Sequence, residues 1–304
     1  MGAKTVIIIT GPTAAGKTAL SLAVARHFQT SIISADSRQC FRELNIGVAK
    51  PSTEALQEIK HEFINSHSIH EEVNAALFEE LALQWANEIF TRRDVLVMAG
   101  GTGLYLKAFS EGMDAMPPAN EQLRAEIREK YRQNGLLWLQ QQISLKDPEF
   151  DKLGETRNPQ RMMRALEVME STGRSVLSFR NTSPKNRPFR ILSFGLQIPK
   201  DILYQRINER VDWMMESGLL EEVRSLLPFR DLNALRTVGY AELFDYLNGN
   251  SGLADAVSRI KQNTRHYAKR QMTWFRRNPD IRWIEKDSLQ EILDQYRNGP
   301  YPDN

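Results

Sequence analysis

Eight consecutive residues, Gly11-Pro-Thr-Ala-Ala-Gly-Lys-Thr18, have the types and spacing of a phosphate-binding loop. In G-x-x-x-x-G-K-[ST] the small residues let backbone N–H groups converge on phosphate oxygens, and the N-terminus of the next helix adds partial positive charge. Gly11, Pro12, Thr13, Ala14, Ala15 and Gly16 make the cradle, Lys17 brings a full charge, and the Thr18 hydroxyl is placed for Mg²⁺. The motif needs a strand before it and a helix after it. Thr5-Val-Ile-Ile-Ile-Thr10 reads as a buried strand and Ala19 to Phe28 as a helix, so the context is met. The alternative is a glycine-containing turn with an exposed lysine. The loop implies that a phosphate chain binds and leaves open which one.

Asp36 is the second chemical group. It follows the strand pattern Ser31-Ile-Ile-Ser-Ala35, and in an open α/β sheet ligands gather at the carboxyl ends of strands, which puts Asp36 beside the phosphate loop. A plain Asp-Ser turn is the other reading. The strand Asp94 to Ala99 ends in Gly100-Gly-Thr-Gly-Leu-Tyr105. A P-loop NTPase or kinase places a Mg²⁺-holding aspartate there. Gly100, Gly101 and Thr102 instead offer backbone donors and one hydroxyl, with no carboxylate to orient a hydrolytic water. Phosphate binding without phosphoryl transfer is the expectation. His61, His67 and His70 do not repeat at i, i+4 and no cysteine assists them, so they read as solvated or hydrogen-bonded imidazoles in a polar loop.

The elements that must position these groups alternate strand and helix. Further strands are expected at 190–198 and 281–284, and helices at 53–60, 74–92, from 200, at 221–227 and at 254–277. In 74–92 the i, i+4 row Leu77, Leu81, Trp85 and Ile89 reads as the packing face. The pattern is α/β: a P-loop NTPase-like parallel sheet with flanking helices. Between Met116-Pro-Pro118 and Arg187-Pro188 the strand pattern stops, which predicts an all-helical insertion over 117–188 dividing the core into 1–116 and 189–304. Its first helix carries an apolar row, Leu123, Ile127 and Tyr131, beside Arg124, Arg128 and Arg132. Its second faces Met162, Leu166 and Met169 inward and Arg157, Arg161 and Arg164 outward. Such rows usually just meet solvent, yet two of them together also fit a polyanion. The last long helix interleaves Lys261, Arg265, Lys269, Arg270, Arg276 and Arg277 with aromatics, which fits RNA contact as well as core packing.

The 304 residues have 41% hydrophobic and 26% charged content, ordinary for a globular protein able to bury a sizeable core. A net charge of +2 does not by itself call for a polyanion. Cys40 is the single cysteine, so no intrachain disulfide and no cysteine zinc site can form. No apolar run reaches the length of a membrane span, and the first strand starts without a signal peptide; a cytoplasmic enzyme is expected.

Several stretches together resemble the tRNA dimethylallyltransferases (tRNA delta(2)-isopentenylpyrophosphate transferases). These are the phosphate loop, Asp36-Ser-Arg-Gln39, Ile46-Gly-Val-Ala-Lys-Pro51, Gly100 to Tyr105, Asn158-Pro-Gln-Arg161 with Arg164-Ala-Leu-Glu167, Arg210-Val-Asp212, Val238-Gly-Tyr240 and Thr264 to Phe275. They run in order along almost the whole chain. The chain departs from the family pattern at Cys40-Phe41, at Val48 and across Glu62 to Asn65.

The resemblance implies transfer of a dimethylallyl group from dimethylallyl diphosphate to N6 of adenosine 37, beside the anticodon, in tRNAs reading codons that begin with U. Diphosphate is then the leaving group. The resemblance implies that the loop from Gly11 to Thr18, with Arg210, binds it together with Mg²⁺ at Thr18, under a motif that also carries an ATP-binding label. Asp36, Thr102 and Lys17 are implied as catalytic, Asp36 accepting a proton from the amine or orienting it. Asp36, Ser37, Arg38, Gln39, Thr102, Arg124, Gln160, Arg161, Met162, Met163 and Arg164 are implied in tRNA binding. A monomer acting on the anticodon stem-loop, away from membranes, is expected. An adenylate prenyltransferase with a free nucleotide acceptor is the nearest rival. A nucleotide kinase lacks support from the strand-end glycines, and a non-catalytic RNA-binding module leaves Asp36 unexplained.

Overall fold

A computed structural model describes residues 4–180, 183–285 and 288–298. The chain divides into two compact units, Met1–Gly112 with Asn186–Asn304, and Met113–Lys185. The strands are β1 (Thr5–Thr10), β2 (Ile32–Ser34), β3 (His61–Glu62), β4 (Val95–Gly100), β5 (Arg190–Leu196) and β6 (Ile281–Ile284). The helices are α1 (Lys17–Phe28), α2 (Thr53–Glu58), α3 (Ala75–Phe90), α4 (Gly103–Glu111), α5 (Glu121–Lys146), α6 (Pro148–Leu153), α7 (Pro159–Thr172), α8 (Lys200–Glu216), α9 (Leu219–Ser225), α10 (Tyr240–Leu247), α11 (Leu253–Phe275) and α12 (Leu289–Asn298). The second unit contains α5, α6 and α7.

The first unit is organised by a parallel sheet in the order β3-β2-β4-β1-β5-β6. All six residues of β1 are buried. A run of β-branched side chains suits a parallel strand covered on both faces, and here β1 lies between β4 and β5. Leu20, Val24 and Ala25 of α1 join Ile7, Ile9, Val97, Phe194 and Leu196 in the core under the phosphate loop. β2 and β4 lie to one side of β1 and β5 to the other. The carboxyl ends of β1, β2 and β4 therefore border the crevice where an open sheet of this kind holds ligands.

Three expectations change. In α3 the buried row is Ala75, Phe78, Ala82 and Ala86, while Leu77, Leu81, Trp85 and Ile89 are half-buried. The small alanines let the helix approach closely, and the large side chains flank that contact. His61 belongs to a short edge strand paired with β2, not to a loop, and its Nδ1 lies 2.7 Å from the Ile59 carbonyl. The helical unit starts and ends a few residues before 117–188, because Arg187 is tied to the first unit. Its guanidinium donates to the carbonyls of Phe109 at 2.8 Å and Ala108 at 2.9 Å and pairs with buried Glu79 at 2.8 Å. The helical unit has its own core, with Ile127, Leu139, Ile143, Phe150, Met162 and Leu166. Its first helix is broken at Gly135, whose φ of 75° is non-helical.

Candidate active site

The phosphate loop leaves β1 and enters α1 with Gly16 at φ 101°, a left-handed conformation that favours glycine. Ala14 is also left-handed, at φ 65°, a strained backbone of the kind that gathers at ligand sites. The Lys17 ammonium curls over the loop and donates to the carbonyls of Gly11 at 3.0 Å and Pro12 at 2.8 Å. Burial lowers its pKa to about 8, with Arg210 pushing the same way and Asp36 opposing. Arg210, on α8, donates to the Thr13 hydroxyl at 3.1 Å, so two cations flank one loop. Burial also lowers the Arg210 pKa from its ordinary value.

Asp36 follows β2 closely. Its Oδ1 accepts the backbone N–H of Arg38 at 2.9 Å and of Gln39 at 3.3 Å, which fixes the turn; Oδ2 takes no partner among the described residues. Gly100, at the end of β4, has its Cα so near Ala35 that a Cβ would lie 2.1 Å from the Ala35 carbonyl oxygen. Only glycine allows that approach, which brings the Thr102 N–H onto the same oxygen at 3.1 Å. The Thr102 hydroxyl accepts from the Ser37 N–H at 3.1 Å. Tyr267, on α11, lines the same cavity as Asp36, and its phenol is pushed up to about 12 by burial and by Asp36.

Gln271 connects the two loops. Its Oε1 accepts the Thr13 N–H at 2.8 Å and its Nε2 donates to the Gly101 carbonyl at 2.9 Å. Neither Gln271 nor Tyr267 stands out from the sequence as a site residue. The available signal is their i, i+4 spacing, which puts both on one face of the terminal helix. Together these groups line a cavity of about 320 Å³ containing Thr13, Lys17, Thr18, Asp36, Gly101, Arg210, Tyr267 and Gln271. A smaller recess of about 120 Å³ shares Thr13, Asp36, Val48, Ala49, Arg210 and Tyr267 with it and is otherwise largely apolar, with Val211, Met214, Val238 and Ile260.

Other expected residues sit differently. Arg38 lines the recess, but the Gln39 amide is used inside the protein, donating to the carbonyls of Val48 at 3.2 Å and Ala49 at 3.0 Å. In the helical unit Met162 is fully buried in the core, so its side chain is not available to tRNA as expected. Its i, i+4 partner Leu166 is buried beside it, which is what the inward face of α7 required. The two arginine rows are not free rows of charge. Arg124 and Arg164 converge on buried Glu167, at 3.0 Å and 2.6 Å, and Arg164 also donates to the Pro117 carbonyl at 2.7 Å. Arg161 pairs with Glu155, and Arg132 with Glu129 at 2.7 Å. Arg128 and Arg157 are exposed with no acidic partner among the described residues; Gln160 is exposed and Met163 half-buried.

No group of three or more His, Cys, Asp or Glu among the described residues could hold a metal ion. Hard oxygens at the cavity wall include the Thr18 hydroxyl and the Asp36 carboxylate. That donor set fits Mg²⁺, which keeps several waters and is held chiefly through substrate phosphates.

The sequence profile of the IPP transferase family matches residues 39–278. The chain belongs to the IPP transferase family. Similar relatives include the tRNA dimethylallyltransferase of Christiangramia forsetii, 45% identical and covering 95% of this chain and 96% of its own, and tRNA dimethylallyltransferase 1 of Bacteroides thetaiotaomicron, 44% identical over 96% and 95%. Among solved structures, the tRNA isopentenylpyrophosphate transferase of Bacillus halodurans superposes with a TM-score of 0.71 at 34% identity, covering 97% of this chain and 96% of that one. A eukaryotic dimethylallyltransferase acting on tRNA, at 24% identity, shares the fold with a TM-score of 0.78 over 99% of this chain and 82% of that one. The profile match starts after Asp36 and the phosphate loop, but the curated IPP transferase relatives align over nearly the whole chain.

Proposed function

We propose that the cavity transfers a dimethylallyl group from dimethylallyl diphosphate to N6 of adenosine 37 in tRNAs reading codons that begin with U, with release of diphosphate. The observation that carries this reading is the pairing of a phosphate loop with Asp36 in one cavity whose β4 end has no carboxylate. The backbone of the loop, Lys17 and Arg210 bind the diphosphate and stabilise the charge that grows on it as the C–O bond breaks. Thr18 would help to hold Mg²⁺ bound to the phosphates, and the ion would supply further neutralisation of that charge. The N6–C bond forms as the C–O bond breaks, and the amine proton passes to Asp36 Oδ2, whose partner oxygen is held by the 36–39 turn. The amine is a weak nucleophile because its lone pair is delocalised into the ring, so orientation by Asp36, Thr102 and Tyr267 matters. The apolar recess receives the prenyl chain. Adenosine 37 is extruded from the anticodon loop to reach the cavity.

Incubation of the protein with tRNA, Mg²⁺ and dimethylallyl diphosphate, followed by mass analysis of the nucleosides, is expected to yield N6-dimethylallyladenosine at position 37. Rapid tRNA-stimulated hydrolysis of ATP without prenylated adenosine would overturn the reading. Free AMP is expected to be a poor acceptor, which separates this activity from the adenylate prenyltransferases.

The tRNA grip is assigned to cations without acidic partners. Among those without an ion pair in the described residues are Arg128 and Arg157 in the helical unit and Lys269, Arg270, Arg276 and Arg277 on and just after α11, all exposed. Exposed Gln160 and Arg161, the latter paired with Glu155, lie beside the first group at the start of α7. Arg128→Gln with Arg157→Gln is expected to weaken tRNA binding at low salt. It should reduce the slope of log K against log salt by roughly 0.7–0.9 for each phosphate no longer neutralised. Diphosphate affinity should stay unchanged. Arg164 is a poor choice for that test, because it shares the buried Glu167 carboxylate with Arg124, and its removal would disturb that buried cluster as well as any phosphate contact. No helix among the described residues is long and apolar enough to cross a membrane, and the enzyme is taken to act as a cytoplasmic monomer.

A further inference from the structure

Glu222, on α9, lines neither the cavity nor the recess, yet its carboxylate takes four donors, three from one loop and one from Tyr240. Oε2 accepts the backbone N–H of Asn45 at 3.1 Å and of Ile46 at 2.8 Å, and Oε1 accepts the Gly47 N–H at 3.1 Å and the Tyr240 hydroxyl at 2.5 Å. Tyr240 is fully buried, and Gly47 lies so near its ring that a Cβ there would come within 2.5 Å of a ring carbon. From the far side Gln39 holds the next two carbonyls, those of Val48 and Ala49. The segment 45–49 is therefore fixed at five consecutive residues, and its Gly47, Val48 and Ala49 form one wall of the recess.

The recess measures about 120 Å³. A dry cavity of about 150 Å³ holds benzene, so the recess by itself has room for a five-carbon chain, and a ten-carbon one would reach past it unless a wall moves. We propose that Glu222, acting through the loop it brackets, sets the length of the prenyl chain the enzyme accepts. The proposal rests on the reading of the recess as the prenyl site. Glu222 is a positioning residue, and each of its oxygens receives two donors. A glutamine can serve only one of those pairs and turns an N–H₂ toward the other, so Glu222→Gln is expected to loosen the wall although its shape is conserved.

The test compares kcat/KM for dimethylallyl and geranyl diphosphate with tRNA as acceptor. Wild type should favour the shorter donor strongly. Glu222→Gln should narrow that ratio by at least about tenfold, the lower end of what one methylene is worth in an apolar pocket. Tyr240→Phe keeps the three amide bonds and should shift the ratio the same way by less. Met214→Ala, which enlarges the recess directly, should also narrow it. A Glu222→Gln variant that slows both donors equally would mean a structural role only and overturn the proposal. If Glu222→Gln does not fold, Tyr240→Phe decides, and an unmoved ratio there overturns the proposal as well. Should Met214→Ala leave the ratio unchanged too, the recess is not the prenyl site; absence of transfer by wild type would instead reject the enzymatic reading.

Discussion

Asp36→Asn is expected to slow prenyl transfer by roughly 10²–10⁴-fold, the range that a positioned proton acceptor contributes, while diphosphate still binds. The substitution separates the two oxygens of the carboxylate. Oδ1 receives the Arg38 and Gln39 amides, and an asparagine oxygen can keep both bonds, so the turn at the end of β2 survives. The atom changed is Oδ2, which becomes an N–H₂ that cannot take a proton from the adenine amine. Single-turnover rates with saturating donor, set beside donor affinity from calorimetry, report the two effects separately. Near-normal turnover would remove Asp36 from the chemistry.

Lys17→Ala is expected to lower the transfer rate by roughly 10²–10³-fold, comparable to removing one donor from a site of developing negative charge. Donor affinity should fall with it, because the same ammonium contacts the ground-state diphosphate. The pH dependence gives an independent check. Burial holds Lys17 near pKa 8 in the unliganded protein, with Arg210 lowering it further and Asp36 raising it. The cation is present below that value and lost above it, so donor affinity should decline as pH rises through about 8. Lys50, also lowered to about 8 by burial, lies on a neighbouring surface of the same unit and titrates in the same range. Lys17→Arg keeps a charge across this interval and should flatten the profile. A decline that persists unaltered in that variant assigns the titration elsewhere.

The parts of the site legible in the sequence are those written in consecutive residues. The phosphate loop, Asp36 after a strand and the glycines after β4 each combine a local pattern with the rule that parallel strands deliver their carboxyl ends to one crevice. The arginine rows show where that reasoning stops. Spacing at i, i+4 reveals a shared helix face but not the acid across from it, and Glu167 neutralises Arg124 from another helix. The α3 row fails for a related reason, since close approach selected the alanines over the larger apolar side chains. Glu222 and Gln271 were illegible because their hydrogen bonds join residues that lie far apart along the chain, 175 or more positions for Glu222 to its loop.

Gln271 also has a temporal meaning. It joins a loop at residue 13 to a turn at residue 101, from a position 258 residues after the first of them. During synthesis the phosphate loop emerges early, but its bracket arrives only 258 residues later. Non-local contacts of this separation form late, because the intervening chain must first be ordered. A nascent or C-terminally truncated chain would thus carry the complete phosphate motif without a competent anion site. Ligand binding by this enzyme is in that sense a report that its last long helix has docked.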